Sequence, residues 1–231
     1  MKTPRVTIMG IGNVLWADEG FGVRAVETLN REYRFDENVE LIDGGTQGIY
    51  LVQHVQVADV LVVFDAVDYG LPAGTLKLVE GDDVPSFMGA KKMSLHQTGF
   101  QEVLAMAALL DSYPDEILLV GVQPAELEDY GGSLRPPVRA QITPAIDAAL
   151  AWLAARGIVA MARATPLPAD QGLHPVPLDL DTYEAQRPSA AAACRLGDDR
   201  VLTDQQTVFD PKPIDLGTQA LRVEVDKRRN H

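Results

Sequence analysis

Five short apolar runs alternate with longer stretches of helical periodicity across the first two-thirds of the chain, and this alternation constrains the fold most strongly. The runs are Arg5–Met9, Val39–Ile42, Val60–Phe64, Thr75–Glu80 and Glu116–Val120. Between and after them, helices are predicted over Asp18–Tyr33, Gln47–His54, Gly99–Leu110 and Pro137–Arg156, where apolar residues recur at three- and four-residue intervals. Strands that alternate with helices connect through right-handed crossovers and line up in parallel. The run at 75–80 comes after the tight turn Gly70-Leu71-Pro72-Ala73-Gly74 and is the expected antiparallel exception. The pattern predicts a three-layer α/β/α fold around a twisted, mostly parallel five-stranded sheet.

Gly157 is a helix stop, and the composition changes after it. Residues 158–231 carry 7 of the 15 prolines and 3 of the 19 glycines, so long helices are excluded there. The expected organisation is an α/β domain over 1–157 and a Pro-rich, poorly ordered or loosely packed extension over 158–231. Arg200–Leu202 and Leu221–Val225 are the extension's best strand candidates.

Charge and cysteine content narrow the function. A formal charge of −13 argues against a nucleic-acid partner, which would need a basic face. No apolar run approaches the ~18 residues that would span a bilayer. The first residues, Met1-Lys2-Thr3-Pro4-Arg5, show no secretory leader pattern. The single cysteine, Cys194, excludes an internal disulfide and a thiolate-rich metal site. A cytoplasmic monomer without membrane contact is the expectation.

Ligands of open α/β sheets meet the carboxyl ends of the strands. Those ends carry Asn13, Asp18 and Glu19, then Asp43, then Asp65 and Asp68, then Gln123, and the loop bearing His96 can reach the same rim. Gly10-Ile11-Gly12 after the first strand, with Asp43 ending the second, invites a nucleotide reading. Leu15 stands where the third small residue of that fingerprint belongs, and Asp18 and Glu19 would repel a pyrophosphate. A metal suits these residues better. Glu19, Asp65 and His96 offer two hard oxygens and one imidazole nitrogen, a set fit for Ni²⁺, Zn²⁺ or Mn²⁺ with open positions. Glu19 with Asp65 could also act as a carboxylate pair sharing a proton, as in aspartyl proteases. No G-x-S-x-G elbow exists, and Cys194 has no evident base beside it.

At these residues the chain resembles the nickel-dependent endopeptidases that mature nickel-iron hydrogenases. The resemblance rests on several blocks in order: Gly10-Ile-Gly12-Asn13-Val14-Leu15, Asp18-Glu19-Gly20-Phe21-Gly22, Asp43-Gly44-Gly45-Thr46, Phe64-Asp65-Ala66-Val67-Asp68, Ser94-Leu95-His96-Gln97-Thr98-Gly99 and Gly121-Val122-Gln123-Pro124. It covers about Val6 to Arg156 and looks like the branch serving membrane-bound uptake hydrogenases. It implies removal of a C-terminal peptide from the hydrogenase large-subunit precursor after nickel insertion. It also implies that Glu19, Asp65 and His96 contact nickel, Glu19 and Asp65 serving catalysis as well, and that Asp43 is an acid needed for activity.

Physically, an enzyme that held its own metal tightly could not tell a loaded precursor from an empty one. Two carboxylates and a histidine form an incomplete site, completed by nickel already held in the precursor. A differential of roughly 3–4 kcal/mol would give several-hundred-fold selectivity. Nickel as Lewis acid and carboxylate-assisted water attack both remain open as the cleavage route. The alternatives are a nucleotide-binding α/β enzyme and a non-catalytic nickel chaperone using the same three ligands.

Overall fold

A computed structural model describes residues 3–88 and 95–188, with the side chains at 87, 88 and 95–98 outside the description. Five strands form the central sheet: β1 (Val6–Ile11), β3 (Val39–Gly45), β4 (Val60–Ala66), β5 (Leu76–Glu80) and β6 (Glu116–Val122), in the order β3-β1-β4-β6-β5. All pairings are parallel except β5 with β6, so the antiparallel exception lies where the sequence places it. A separate ribbon joins β2 (Tyr33–Arg34) to β7 (Met161–Ala162).

The central strands are apolar on both faces because helices cover both. Ile8, Val62, Phe64, Leu118 and Val120 pack with α1 (Phe21–Glu32) and α6 (Ile142–Ala154). Their neighbours in the pleat, Met9, Leu61, Val63 and Leu119, pack on the other face with α2 (Val52–Val57), α3 (Val84–Met88) and α4 (Leu95–Leu109). The alternation of side chains along each strand divides the core into two layers. No helix among the described residues is long and apolar enough to cross a membrane.

The structure moves some element ends. β4 continues through Asp65 and Ala66, and β6 through Gly121 and Val122, in unbroken ladder register. Asp and Gly disfavour strands, so periodicity stops short of them although the ladder does not. Helix α4 starts at Leu95 rather than Gly99. Gly99 is interior to it because a Cβ there would press to 3.3 Å on the Gly48 backbone. The expected helix 137–156 is two helices, α5 (Pro136–Arg139) and α6. Pro144 would collide with the Ala140 carbonyl in a continuous helix, so α6 restarts with Pro144 in its first turn.

Beyond Gly157, residues 158–188 differ from a loose extension: they run along α1 as a strap. The Arg163 and Leu167 amides donate to the Glu32 and Arg31 carbonyls at 2.8 and 2.9 Å. His174 Nε2 stands 2.9 Å from Glu27 Oε2, and Arg24 Nη1 donates to the Leu178 carbonyl. The last helix, α7 (Leu180–Gln186), is capped by Asp179, whose Oδ2 accepts from the Thr182 amide at 3.1 Å. Its Glu184 accepts from Ser133 Oγ and Arg139 Nη1, each at 2.6 Å. Proline prevents a long helix in this segment, but not a set of short turns held by backbone and ionic contacts. The strand candidates Arg200–Leu202 and Leu221–Val225, and Cys194, lie outside the described residues.

Two substitutions probe this packing. A Cβ at Gly22 would stand 2.1 Å from the Phe64 carbonyl oxygen and 2.3 Å from that of Ile11, both backbone atoms. Gly22→Ala should therefore cost about 3 kcal/mol or more in denaturant unfolding. Burial raises the Glu27 carboxyl from 4.5 to about 7, against the pull of Arg24. A raised folded-state value means stabilisation that is complete below pH 4.5 and lost as pH rises through 7. Glu27→Gln should remove that slope from a series of melts across the range.

Candidate active site

The rim site starts from a set of close backbone approaches. A Cβ on Gly10 would meet the Gly22 carbonyl oxygen at 2.1 Å, so β1 and the first turn of α1 touch without side chains between them. Gly12, at φ +134°, takes a backbone conformation that suits glycine, and a Cβ there would lie 1.8 Å from the Glu19 carbonyl oxygen. These glycines serve helix-on-strand packing. The short 3-10 turn Ala17–Gly20 is thereby folded back over the ends of β1 and β4.

β1 leads to α1 on one face, whereas the chain after β4 passes through β5 to α3 and α4 on the other. The chain directions part between β1 and β4, and a crevice opens there, as at other switch points of parallel sheets. Glu19 sits in the turn on the β1 side, half-buried. Asp65 stands at the end of β4, fully buried, opposite Gly121 in the ladder, with Oδ1 accepting the Ala66 amide at 2.8 Å. By the pleat, Asp65 shares the face of Val63, which α4 covers through Phe100, Val103 and Leu104. His96 belongs to the first turn of that helix, and its side chain lies outside the described residues. Among the described residues, no three His, Cys, Asp or Glu side chains come together as a metal cage.

Asp43 lies on the other face. It pairs with Gly10 across β1 and β3, and its carboxyl is raised, first by burial. The charges acting against that rise belong to His174 and Arg24, on the α1 side of the sheet. Glu19 thus lies in a turn that packs against β4, whose end carries Asp65, and Asp43 lies on the sheet face that α1 covers.

Neighbouring polar residues build the crevice walls. Asp18, adjacent to Glu19, is fully buried and accepts three backbone amides: Ala125 at 2.8 Å and Glu126 at 2.9 Å on Oδ2, and Arg135 at 2.6 Å on Oδ1. It ties the loop after β6 to the turn after β1. An edge-to-face stack of Trp16 on Tyr130, 5.3 Å between centroids, repeats that link further out. Gln123 holds the loop after β4: its Oε1 accepts from the Tyr69 and Leu71 amides at 2.8 and 3.1 Å, and its Nε2 donates to Asp68 Oδ1 at 3.0 Å. Tyr69 packs on Gly121, where a Cβ would meet its Oη at 2.2 Å. Burial, then the charge of Asp65, pushes the Tyr69 phenol up. Beside them runs an open groove of about 380 Å³ lined by Asp68, Gln123, Glu126 and Glu128 among others.

The sequence marks Asp18 and Gln123 as rim residues without revealing that they brace loops. Nothing local marks Tyr69 or His174.

Comparison with known proteins then places this arrangement. A family model described as hydrogenase maturation protease matches residues 23–152. The hydrogenase expression/formation protein HoxM of Azotobacter vinelandii is 63% identical over 205 residues, 89% of this chain and 98% of that protein. The hydrogenase 2 maturation protease of Escherichia coli is 38% identical over 160 residues, 69% of this chain and 96% of its own. Among solved structures, the hydrogenase maturating endopeptidase HybD from E. coli superposes with a TM-score of 0.66 at 36% identity, covering 69% of this chain and 98% of that one.

The bracing role of Asp18 is testable. Asp18→Asn puts an amide N–H₂ against a backbone donor and should lower stability by about 2–3 kcal/mol in thermal unfolding.

Proposed function

The chain belongs to the hydrogenase maturation protease family, and from that premise we propose that it removes a C-terminal peptide from the large-subunit precursor of a nickel-iron hydrogenase, using precursor-borne nickel as its recognition element. It is an endopeptidase of hydrogenase maturation. The observation that carries the finer reading is the placement of two carboxylates at one end of the sheet: Glu19 in the turn that packs against β4, and Asp65 at the end of that strand.

In this reading Glu19, Asp65 and His96 face the nickel as hard-oxygen and imidazole donors, and none is a thiolate. The only cysteine of the chain is Cys194, far along the sequence from the crevice residues. A donor set this small and hard binds a late first-row ion weakly by itself. Nickel arriving with its own ligands would complete the coordination, and loaded precursor would be held more tightly than empty precursor. The ion then positions the scissile peptide along the groove beside Asp68 and Glu128. Asp43, half-buried on the neighbouring strand, is an additional acid in the same reading. The nucleotide alternative loses its physical basis: the space at the first-turn glycines is filled by backbone, of α1 at Gly10 and of the Ala17–Gly20 turn at Gly12, with no bare cradle left for a phosphate.

The test mixes full-length protein with nickel-loaded and nickel-free precursor and compares subunit masses. Only the loaded precursor should shorten. Glu19→Gln, Asp65→Asn and His96→Gln should each leave it full-length while melting near the parent protein. Equal trimming of both precursors would remove nickel from recognition, and normal trimming by all three variants would remove the site. Nickel uptake with no change in precursor mass would instead describe a chaperone.

A further inference from the structure

The loop between β6 and α5 carries the groove wall, and the strap holds that loop from behind. Its first half, residues 124–128, lines the groove. Its second half lies outside the lining and is held from two sides. On one side, the Arg135 amide donates to Asp18 Oδ1 at 2.6 Å, the Gly131 amide donates to the Leu15 carbonyl at 2.7 Å, and Tyr130 stacks on Trp16. On the other side stands α7. Tyr183 Oη donates to the Gly132 carbonyl at 3.2 Å, and Glu184 Oε1 accepts from Ser133 Oγ at 2.6 Å. Both Glu184 oxygens accept from Arg139 Nη1, at 2.6 and 2.5 Å. One carboxylate thus joins the end of the loop to the helix that follows it.

The place that α7 grips is the loop's weakest point. Gly131, at φ +71°, and Gly132 precede Ser133, and two successive glycines give a backbone little stiffness of its own. Motion there has a printed route to the groove: Asp18 accepts the Arg135 amide on one oxygen and the Ala125 and Glu126 amides on the other. The Glu184–Arg139 pair is itself open to water, at 29% and 42% exposure, and such pairs add little to global stability. Its effect is local order.

We infer that Glu184 is a positioning residue for the substrate groove: with Tyr183 it clamps the loop at its glycine pair, so that the wall over 124–128 keeps one position when precursor is laid against it. The inference rests on the reading that precursor peptide runs along this groove. A wall that orients peptide and breaks no bond acts equally on bound substrate and transition state, so loosening it raises KM and spares kcat. The E. coli protease agrees with a role outside the cleavage step: its 160 matched residues make up 96% of it, so it is shorter than the stretch from β1 to α7 here.

The experiment measures cleavage of nickel-loaded precursor by the full-length protein and by Glu184→Ala, Ser133→Ala, their double variant and Glu184→Gln. Each alanine variant should raise KM about fivefold, the scale of one lost hydrogen bond, with kcat and melting temperature near the parent's. The double variant should add little, because both remove the same contact. Glu184→Gln, whose amide oxygen still accepts from Ser133, should return KM to within about twofold of the parent's. Amide hydrogen exchange over 129–135 should quicken in the alanine variants while the sheet stays protected. An unchanged KM in both single variants, fully additive effects in the double, or a fall in kcat that tracks a lowered melting temperature overturns the inference. If Glu184→Ala does not fold, Ser133→Ala decides by the same readings. A parent protein that leaves loaded precursor full-length removes the underlying reading instead, so the two failures are distinct.

Discussion

Contact between bare backbones at Gly10 and Gly22 sets the geometry on which the rest of the rim depends. Each position lacks room for a single carbon: 2.1 Å separates a Cβ on one from the Gly22 carbonyl, and a Cβ on the other from that of Phe64. With α1 pressed this closely onto β1 and β4, the chain between strand and helix has to double back in a tight turn. That turn presents two consecutive acids to opposite environments. Asp18 goes inward and gathers three amides of the loop after β6. Glu19 is left at the crevice, over the end of the strand that carries Asp65. One packing contact thus brings a brace and a candidate site acid into register.

The sequence discloses much of this because the sheet obeys simple periodicities. Strands buried on both faces read as continuous apolar runs, and the exceptional β5 is announced by its turn and by alternation. The acids at the strand ends are legible for the same reason: a strand's apolar run has to stop, and the next residues face the rim. Positions that depend on contacts distant in sequence are not legible. Gly99 reads as a helix start and is instead a spacer against Gly48. Asp43 and Asp65 look equivalent as acids that end strands, yet the pleat sends them to opposite faces. The strap is hardest of all, since its turns are fixed by Arg24, Glu27 and Arg31 on α1 rather than by any period of its own.

This division bears on the alternatives that the sequence leaves open. A glycine-rich turn after a first strand is compatible with phosphate binding and with helix-on-strand packing alike. The distinction lies in what the missing Cβ atoms would touch, and here they would touch protein backbone. In the same way, a Pro-rich tail is compatible with disorder and with a strap. What decides is whether the domain offers buried partners, and α1 offers two charged side chains that would otherwise lie uncovered on its outer face.

The strap meets α1 near its far end through Glu32 and Arg31, along its middle at Glu27, and near its start at Arg24, before anchoring to Ser133 and Arg139 beyond. In mechanical terms α1 is a beam clamped at both ends instead of a cantilever. A cantilevered helix lets its first turn tilt with thermal bending, and the acid just before it would wander. Clamping removes that freedom, so the stiffness of the Glu19 turn is set partly by residues more than a hundred positions away in the chain.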